Sequence, residues 1–481
     1  MSKIFIQHVN ESHVKIEAEY GILKEYQEMF RFEIENKRFN PLVKAGKWDG
    51  VIRLVDSKGI APKGLVPDFL KHAVESEYEI VLSPEFRKFK EKFEFDESEY
   101  GLKFPLYDYQ RGAIQRILDK KRQLIISPTA SGKSAIIAVA MRAINVKTLI
   151  IVPNISLLAQ LGSDFVNYFG DSGWDVEEHC YFIGDGIKAD KSKQFTVSTW
   201  QSLQRLPPEW FEEFECVICD EVHGATSSVI TKIINNCTNA FWRIGLTGTL
   251  DNSKTNKMCL QGLFGPVYKV ITTKQLMDDG RVTNVLIKPI ILKYPEEFCK
   301  LVRGLPYDDE VDVIIKNKKR NKFLCNLPKI MNGNSLYLFR FVEEHIDKIL
   351  KEFKETNPDK QVYVVTAATK KIEREKIRAL SETENNVIIL STYSLFSTGI
   401  SINNLHNVVF ASPMASKIKI LQSVGRSLRL HDSKSEATIY DVVDDFRGTK
   451  KKSNYALKHF LERFEMYSSE KFKITVKEIS L

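Results

Sequence analysis

From about residue 106 onward, short β-branched and apolar runs alternate with longer segments of helical periodicity. This alternation constrains the fold more than any other feature of the 481-residue chain. The runs are Leu124–Ser127, Thr148–Pro153, Phe195–Thr199, Cys216–Asp220, Arg243–Thr249, Ser335–Phe339, Gln361–Thr366, Asn386–Thr392, Asn407–Pro413 and Thr438–Val443. They are apolar on both faces, the pattern of parallel strands covered by helices on each side. Ten such strands exceed one ordinary doubly wound sheet. They divide near residues 270–290, where KQLMDDGRVTNV passes from a helical segment through Gly280 into a new extended stretch. The basic stretch KNKKRNK (316–322) reads as a helix face or a loop. Residues 1–100 differ: VIRLVD (51–56) alternates like a half-exposed strand, and NPLVKAGKWDG (40–50) is rich in turn residues. The expected organisation is a small α+β domain over 1–100 and two α/β lobes over 101–280 and 281–481. The acidic KFEFDESEYG (92–101) is expected to be a linker.

Composition narrows the class. Hydrophobic residues at 43% and charged ones at 27% fit a globular protein. No apolar run reaches the roughly 18 residues of a membrane helix, and MSKIFIQHVNESHVKIE has no signal-peptide core. Seven cysteines are too few, and the wrong parity, for a disulfide scaffold, so a reducing cytoplasmic home is expected. The net charge of +8 is unevenly placed: residues 1–100 carry 16 basic and 19 acidic side chains, leaving the rest at +11. Such an excess is compatible with a nucleic-acid partner without requiring one.

Two stretches carry chemistry. LIIS (124–127) runs into PTASGKS (128–134) and then the apolar helix AIIAVAMRAI. A tight loop at a helix N-terminus aims backbone N–H groups at phosphate, and the helix dipole adds attraction. In this frame Thr129, Ala130, Ser131 and Gly132 form the cradle, Lys133 reaches the β- and γ-phosphates, and Ser134 can ligate Mg²⁺. Ser127 stands where the usual motif has its first glycine. The second stretch is the apolar Phe214–Cys219, which ends in Asp220-Glu221-Val222-His223. Carboxylates at the C-terminal end of a buried strand lie where an α/β sheet binds its ligands. Asp220 would hold Mg²⁺ through water, and Glu221 would orient and deprotonate an attacking water. The pair Cys216 and Cys219 lies within that strand on opposite faces, so both are expected to be core thiols, not metal ligands.

With these residues in place, Asp220-Glu221-Val222-His223 resembles the DExH box of superfamily 2 helicases, and further motifs follow in that family's order. Leu106-Tyr107-Asp108-Tyr109-Gln110 resembles the adenine-binding segment, which implies Gln110 as the adenine contact. Val152-Pro153-Asn154 through Gln160 and Ser198-Thr199-Trp200-Gln201 resemble the DNA-contacting motifs of the first lobe. Thr247-Gly248-Thr249 resembles the coupling motif, which implies that His223, Thr247 and Thr249 link hydrolysis to DNA. Leu338-Phe339-Arg340 and Ser397-Thr398-Gly399-Ile400 resemble motifs IV and V, and Gln422 through Arg429 matches Q-x-x-G-R-x-x-R. The resemblance implies that Arg426 and Arg429 act as arginine fingers on the γ-phosphate, with Gln422 sensing it. It makes Ser198, Thr199, Arg340 and Thr398 candidates for DNA contact.

A closer resemblance spans nearly the whole chain. FRFEIENKRFNPLVKAGKWDGVIRL and YSLFSTGISINNLHNVVFASPMASKIKILQSVGRSLR look like the UvsW family of bacteriophage recombination helicases. It implies two RecA-like lobes behind a small DNA-binding domain, with ATP and Mg²⁺ as cofactors. It also implies remodelling of forks, Holliday junctions and R-loops in the host bacterial cytoplasm, in phage recombination, repair and replication. In the first 100 residues, segment 36–63 holds seven basic side chains against two acidic ones, with Phe39 and Trp48 interleaved. It reads as a phosphate-gripping patch involving Lys44 and Lys47, with Trp48 packing on sugar or base; a core role for the aromatics and a solvated face for the lysines is the alternative. The same motor motifs would also serve a duplex translocase, an RNA helicase, or a DNA-annealing protein with a vestigial ATPase. A monomer is expected, with an oligomer left open.

Overall fold

The computed structural model describes the chain apart from residues 1, 35–36, 88–92, 171, 185, 223–227, 251–252, 399–401, 415–419, 421–423, 426–429 and 451. It forms two compact units. The first comprises Met1–Ser127 and Gly132–Ile271; the second comprises Thr272–Leu481, with which Pro128–Ser131 group.

The first unit begins with a four-stranded sheet in the order Ile60–Pro62, His13–Glu17, Lys3–His8, Glu79–Leu82. Alternation along its two central strands turns Ile4, Ile6, Val14 and Ile16 inward, where they meet Ile22 and Tyr26 of helix Tyr20–Met29 and Phe69 and Ala73 of helix Val66–Glu75. The Tyr26 hydroxyl keeps its hydrogen bond in this core by donating to the Phe69 carbonyl at 3.0 Å. A separate hairpin pairs Arg31–Glu33 with Val51–Arg53. Within the turn-rich stretch between its strands lies a short helix, Pro41–Lys44. Asn40 caps it by accepting from the Leu42 N–H, and Pro41 has the fixed φ suited to a first helical position.

This small sheet is anchored to the rest of its unit. Glu11 accepts from Lys63 Nζ and from the Arg122 guanidinium, each at 2.8 Å, and Ser12 accepts from Arg243 at 2.6 Å while donating to the Asn235 carbonyl. A Cβ on Gly64 would lie 2.1 Å from the Gln261 carbonyl oxygen, so only glycine permits that approach. Stretch 92–101 is not a free linker over its described part: Phe93 meets Trp242 edge-on at 5.7 Å, and Phe95 stacks on Tyr100. The aromatic residues among its acids bury against the first lobe's core.

The first lobe is a seven-stranded parallel sheet ordered Val267–Lys269, Arg122–Ile126, Trp242–Thr247, Cys216–Cys219, Thr148–Val152, Phe195–Thr199, Cys180–Ile183. Cys216 faces the core beneath helices Asp108–Lys120, Lys133–Ile144 and Ile155–Phe169, whereas Cys219 faces the opposite core with Phe211, Ile234 and Leu260. Burial raises the pKa of both thiols. They are apolar filling on opposite sides of one strand.

The second unit carries eight parallel strands, ordered Gln361–Val365, Val387–Thr392, Ser335–Phe339, Asn407–Phe410, Glu436–Asp445, Asn284–Lys293, Lys473–Ile474, with Lys477–Ser480 also on Asn284–Lys293. KNKKRNK falls on helix Lys318–Asn326, where Arg320 turns inward to bond Asp444 at 2.8 Å and the Ala411 carbonyl. Glu310, 2% exposed, accepts from the Tyr455 and Ala456 N–H groups and so satisfies the start of helix Tyr455–Ser469. No described helix is long and apolar enough to cross a membrane.

Candidate active site

Strand Arg122–Ile126 delivers the chain to Ser127, whose N–H donates to the Thr247 carbonyl at 2.9 Å. A tight turn follows, in which the Ser131 N–H and hydroxyl both donate to the Pro128 carbonyl, at 3.2 and 2.6 Å. Ala130 at φ +67° and Gly132 at φ +76° occupy the left-handed region that coils the loop onto the helix start. Glycine suits the positive φ at 132, and a Cβ there would also lie 2.4 Å from Gln110 Nε2 and push that side chain aside. The Gln110 side chain is buried, accepts the Tyr107 N–H at 2.9 Å and packs on the loop glycine. Helix Lys133–Ile144 then presents its N-terminal amides and the positive end of its dipole.

One strand, Trp242–Thr247, separates the loop's strand from Cys216–Cys219, so the two strand ends lie about 10 Å apart. Two side chains close that gap. Lys133 Nζ lies 3.3 Å from Glu221 Oε1 and 3.4 Å from the Ser127 carbonyl. Burial opposes the charge on Lys133, but Glu221 and Asp220 beside it outweigh that effect and hold its pKa above the ordinary lysine value. Asp220 Oδ1 accepts the Glu221 N–H at 2.9 Å, and Glu221 adopts φ +51°. A non-glycine residue in that region costs about 1–3 kcal/mol, and such strain collects at functional sites.

The remaining sequence-derived positions divide. Thr247 is fully buried and its hydroxyl donates to the Thr249 carbonyl at 2.8 Å, folding the strand end back on itself. Ser198 and Thr199, expected to touch DNA, do not present their hydroxyls outward. Ser198 is 0% exposed and donates to the Ile183 and Thr199 carbonyls, while Thr199 caps helix Trp200–Leu203 through the Ser202 N–H. The reason is the parallel strand itself: both of its faces are covered, so its last polar residues find partners inside the protein. Arg340 bonds Asp308 at 3.2 Å with its guanidinium over the Tyr307 and Phe341 rings. Lys44 and Lys47 are exposed, and half-buried Trp48 donates to the Val51 carbonyl at 3.2 Å. His223, Gln422, Arg426 and Arg429, and the side chains of Phe39 and Thr398, lie outside the described residues.

One interaction was missed by sequence reasoning. The Ser134 hydroxyl lies 2.7 Å from that of Tyr168, on a different helix. No short pattern links residues 34 apart on successive helices, so the sequence offers no signal for it. For a cation, Ser134 and Asp220 supply hydroxyl and carboxylate oxygens, the donor chemistry Mg²⁺ prefers. Among the described residues there is no cluster of three or more His, Cys, Asp or Glu that could form an independent metal site.

Comparison with known proteins adds to this geometry. A family model described as DNA helicase UvsW, N-terminal, matches residues 3–83; Type III restriction enzyme, res subunit, matches 103–252; and the helicase conserved C-terminal domain matches 318–431. The ATP-dependent DNA helicase uvsW of Enterobacteria phage T4 is 36% identical over 500 residues, covering 98% of each chain. The DNA 3'-5' translocase XPB2 of Sulfurisphaera tokodaii is 25% identical over 454 residues, covering 85% of this chain and 94% of the relative. The crystal structure of T4 UvsW matches at 32% identity and a TM-score of 0.50 over 99% of both chains. A fragment of a putative HsdR subunit of a type I restriction enzyme from Vibrio vulnificus shares the fold at 21% identity and a TM-score of 0.58, covering 78% of this chain and 70% of that one.

Proposed function

Because the chain belongs to the UvsW family of ATP-dependent DNA helicases, we propose that it couples ATP hydrolysis to the remodelling of branched DNA: forks, Holliday junctions and R-loops. The observation that carries this reading is the Lys133–Glu221 pair, which joins the phosphate loop to the acidic strand end in one site. Lys133 and the loop amides bind the phosphates of ATP. A phosphate entering the loop competes with Glu221 for the lysine, and the released carboxylate is then free to accept a proton from the attacking water. Ser134 and Asp220 would hold Mg²⁺, which supplies charge neutralisation at the β- and γ-phosphates when bound. Arg426 and Arg429 stabilise charge that develops on the transferring phosphoryl group, and Gln422 senses it. Gln110, the last residue of the adenine segment, packs against Gly132 and ties base recognition to loop shape. Thr247 and Thr249, with His223, relay the state of the loop to the DNA-contacting segments.

On the DNA side, the exposed Lys44 and Lys47 beside helix Pro41–Lys44 grip phosphates without reading bases. The test is a substrate panel of fork, Holliday junction, R-loop and blunt duplex, with and without ATP. ATP-dependent strand exchange on the branched substrates, absent with Lys133→Ala, is expected; turnover without any strand rearrangement would overturn the reading. Likeness to a DNA 3'-5' translocase favours a second reading, movement along duplex without strand separation, and the blunt-duplex arm distinguishes it.

A further inference from the structure

We infer that Tyr168 is a positioning residue for the Mg²⁺-ligating hydroxyl of Ser134. The inference rests on the reading of Ser134 given above. The two hydroxyl oxygens are 2.7 Å apart. Ser134 lies in the first turn of helix Lys133–Ile144 and Tyr168 near the end of helix Ile155–Phe169. The residue is held at two further points, one on its ring and one on its backbone. Phe104 meets its ring edge-on with centroids 5.2 Å apart and planes at 89°, and the Tyr168 carbonyl accepts the Lys103 N–H at 3.1 Å.

A serine in the first turn of a helix has three staggered rotamers and a freely rotating proton. To ligate a cation it must turn a lone pair to the ion and send its proton elsewhere. Tyr168 supplies an oxygen that can take that proton and a contact that holds the rotamer. With the Ser134 O–H donating to the tyrosine oxygen, the serine lone pairs are left for the cation and the rotamer is locked. Outer partners of this kind orient metal ligands, and their loss typically weakens metal binding about 10–100-fold.

Tyr168→Phe removes the hydroxyl and keeps the ring against Phe104. The measurement is the affinity of a fluorescent ATP analogue in excess Mg²⁺ and in EDTA, for native protein, Tyr168→Phe, Ser134→Ala and the double variant. The ratio of the two affinities reports how strongly Mg²⁺ supports nucleotide binding, independently of turnover. Tyr168→Phe is expected to shrink that ratio about tenfold. The double variant is expected to match Ser134→Ala, because the tyrosine acts only through the serine. Thermal melting of each variant in EDTA identifies any loss of fold, and Tyr168→Trp, which also lacks the hydroxyl, serves as a second variant should phenylalanine destabilise the helix. A Tyr168→Phe ratio equal to native, with Ser134→Ala reduced, overturns the positioning role alone. A native ratio in Ser134→Ala overturns the assignment of Ser134 on which it rests.

Discussion

Lys133 and Glu221 are distant along the chain yet 3.3 Å apart in space, each with under a fifth of its side chain exposed. Each neutralises the other while no phosphate is present. Lys133→Ala therefore removes the proposed phosphate contact and leaves the largely buried Glu221 carboxylate without this counter-charge. Glu221→Gln keeps size and removes the proposed base. Either variant is expected to lower DNA-stimulated phosphate release to background while DNA affinity stays close to native, since neither residue lies on the basic patch; phosphate-release and DNA-binding assays on one preparation check this. Both residues were legible from sequence because loop chemistry and strand-end carboxylates have short, ordered signatures. Ser198 and Tyr168 were not. A motif records residue types in order, whereas the exposure of a strand-end hydroxyl and the partner of a helix-start serine depend on which surfaces the fold covers.

Among elements, the alternating apolar runs marked most parallel strands to within a residue or two, because a strand covered on both faces must be apolar throughout. The short edge strands Cys180–Ile183, Val267–Lys269 and Lys477–Ser480 escaped notice. Each is only three or four residues long, too short to stand out as an apolar run, and two of the three carry charged residues. Helix Pro41–Lys44 hid inside a turn-rich stretch, since its cap and first residue, Asn40-Pro41, are themselves turn formers. For the patch it presents, Lys44→Glu with Lys47→Glu should weaken binding to forks. The slope of log affinity against log salt should also flatten, by about 0.9 for every phosphate no longer neutralised. Hydrolysis stimulated by plain single strands should persist. Titration of binding over a range of salt concentrations reads both effects.

The π-helical segment Val342–Ile346 in the second unit supports a different expectation. His345 is fully buried there. Its Nε2–H faces Asn321 Oδ1 at 3.1 Å, because that amide's nitrogen already donates to the Ile315 carbonyl, and its Nδ1 accepts the Ser412 hydroxyl at 3.1 Å. The neutral ring is thus satisfied at both nitrogens. Burial, with Arg320 nearby, pushes its pKa down to about 3. An unfolded chain binds a proton below its ordinary value of 6.5 that the folded chain refuses. Stability is accordingly complete above pH 6.5 and falls as the pH drops toward 3, by up to about 1.4 kcal/mol per unit. His345→Gln should melt lower than native at neutral pH, with the deficit narrowing about one pH unit below the ordinary histidine value; melting curves across that range check it.

At the scale of the whole molecule, the anchoring of the N-terminal sheet to the first lobe depends on Glu11. Burial opposes its charge, but Arg122 and Lys63 hold its carboxyl below the usual range. Glu11→Gln leaves two cations facing each other with little solvent. The first unit should lose about 3 kcal/mol at neutral pH, the low end for breaking a buried pair. The sign follows from the lowered pKa: the carboxylate's contribution is full above its ordinary value of 4.5 and disappears as pH falls through its folded value. The melting temperature of Glu11→Gln should therefore sit several degrees below native at neutral pH and converge with it in acid. This interface was invisible in the sequence, where Glu11 and Arg122 are separated by 111 residues and each looks like an ordinary surface charge.

Arg243, which bonds Ser12 in the turn between the first two strands of the N-terminal sheet, is the second residue of the strand that closes at Thr247 beside the phosphate loop. A short run of extended backbone, about 13 Å long, joins the two. Tension on the small sheet therefore has a load path with no slack in it: through a guanidinium clamp, along one covalent strand, to the carbonyl that braces the loop. Engineers would recognise a tool bit keyed directly to the drive shaft. What bears on the four-stranded sheet is thus delivered along a single strand to the start of the phosphate loop, with no connecting loop between the clamp and the brace.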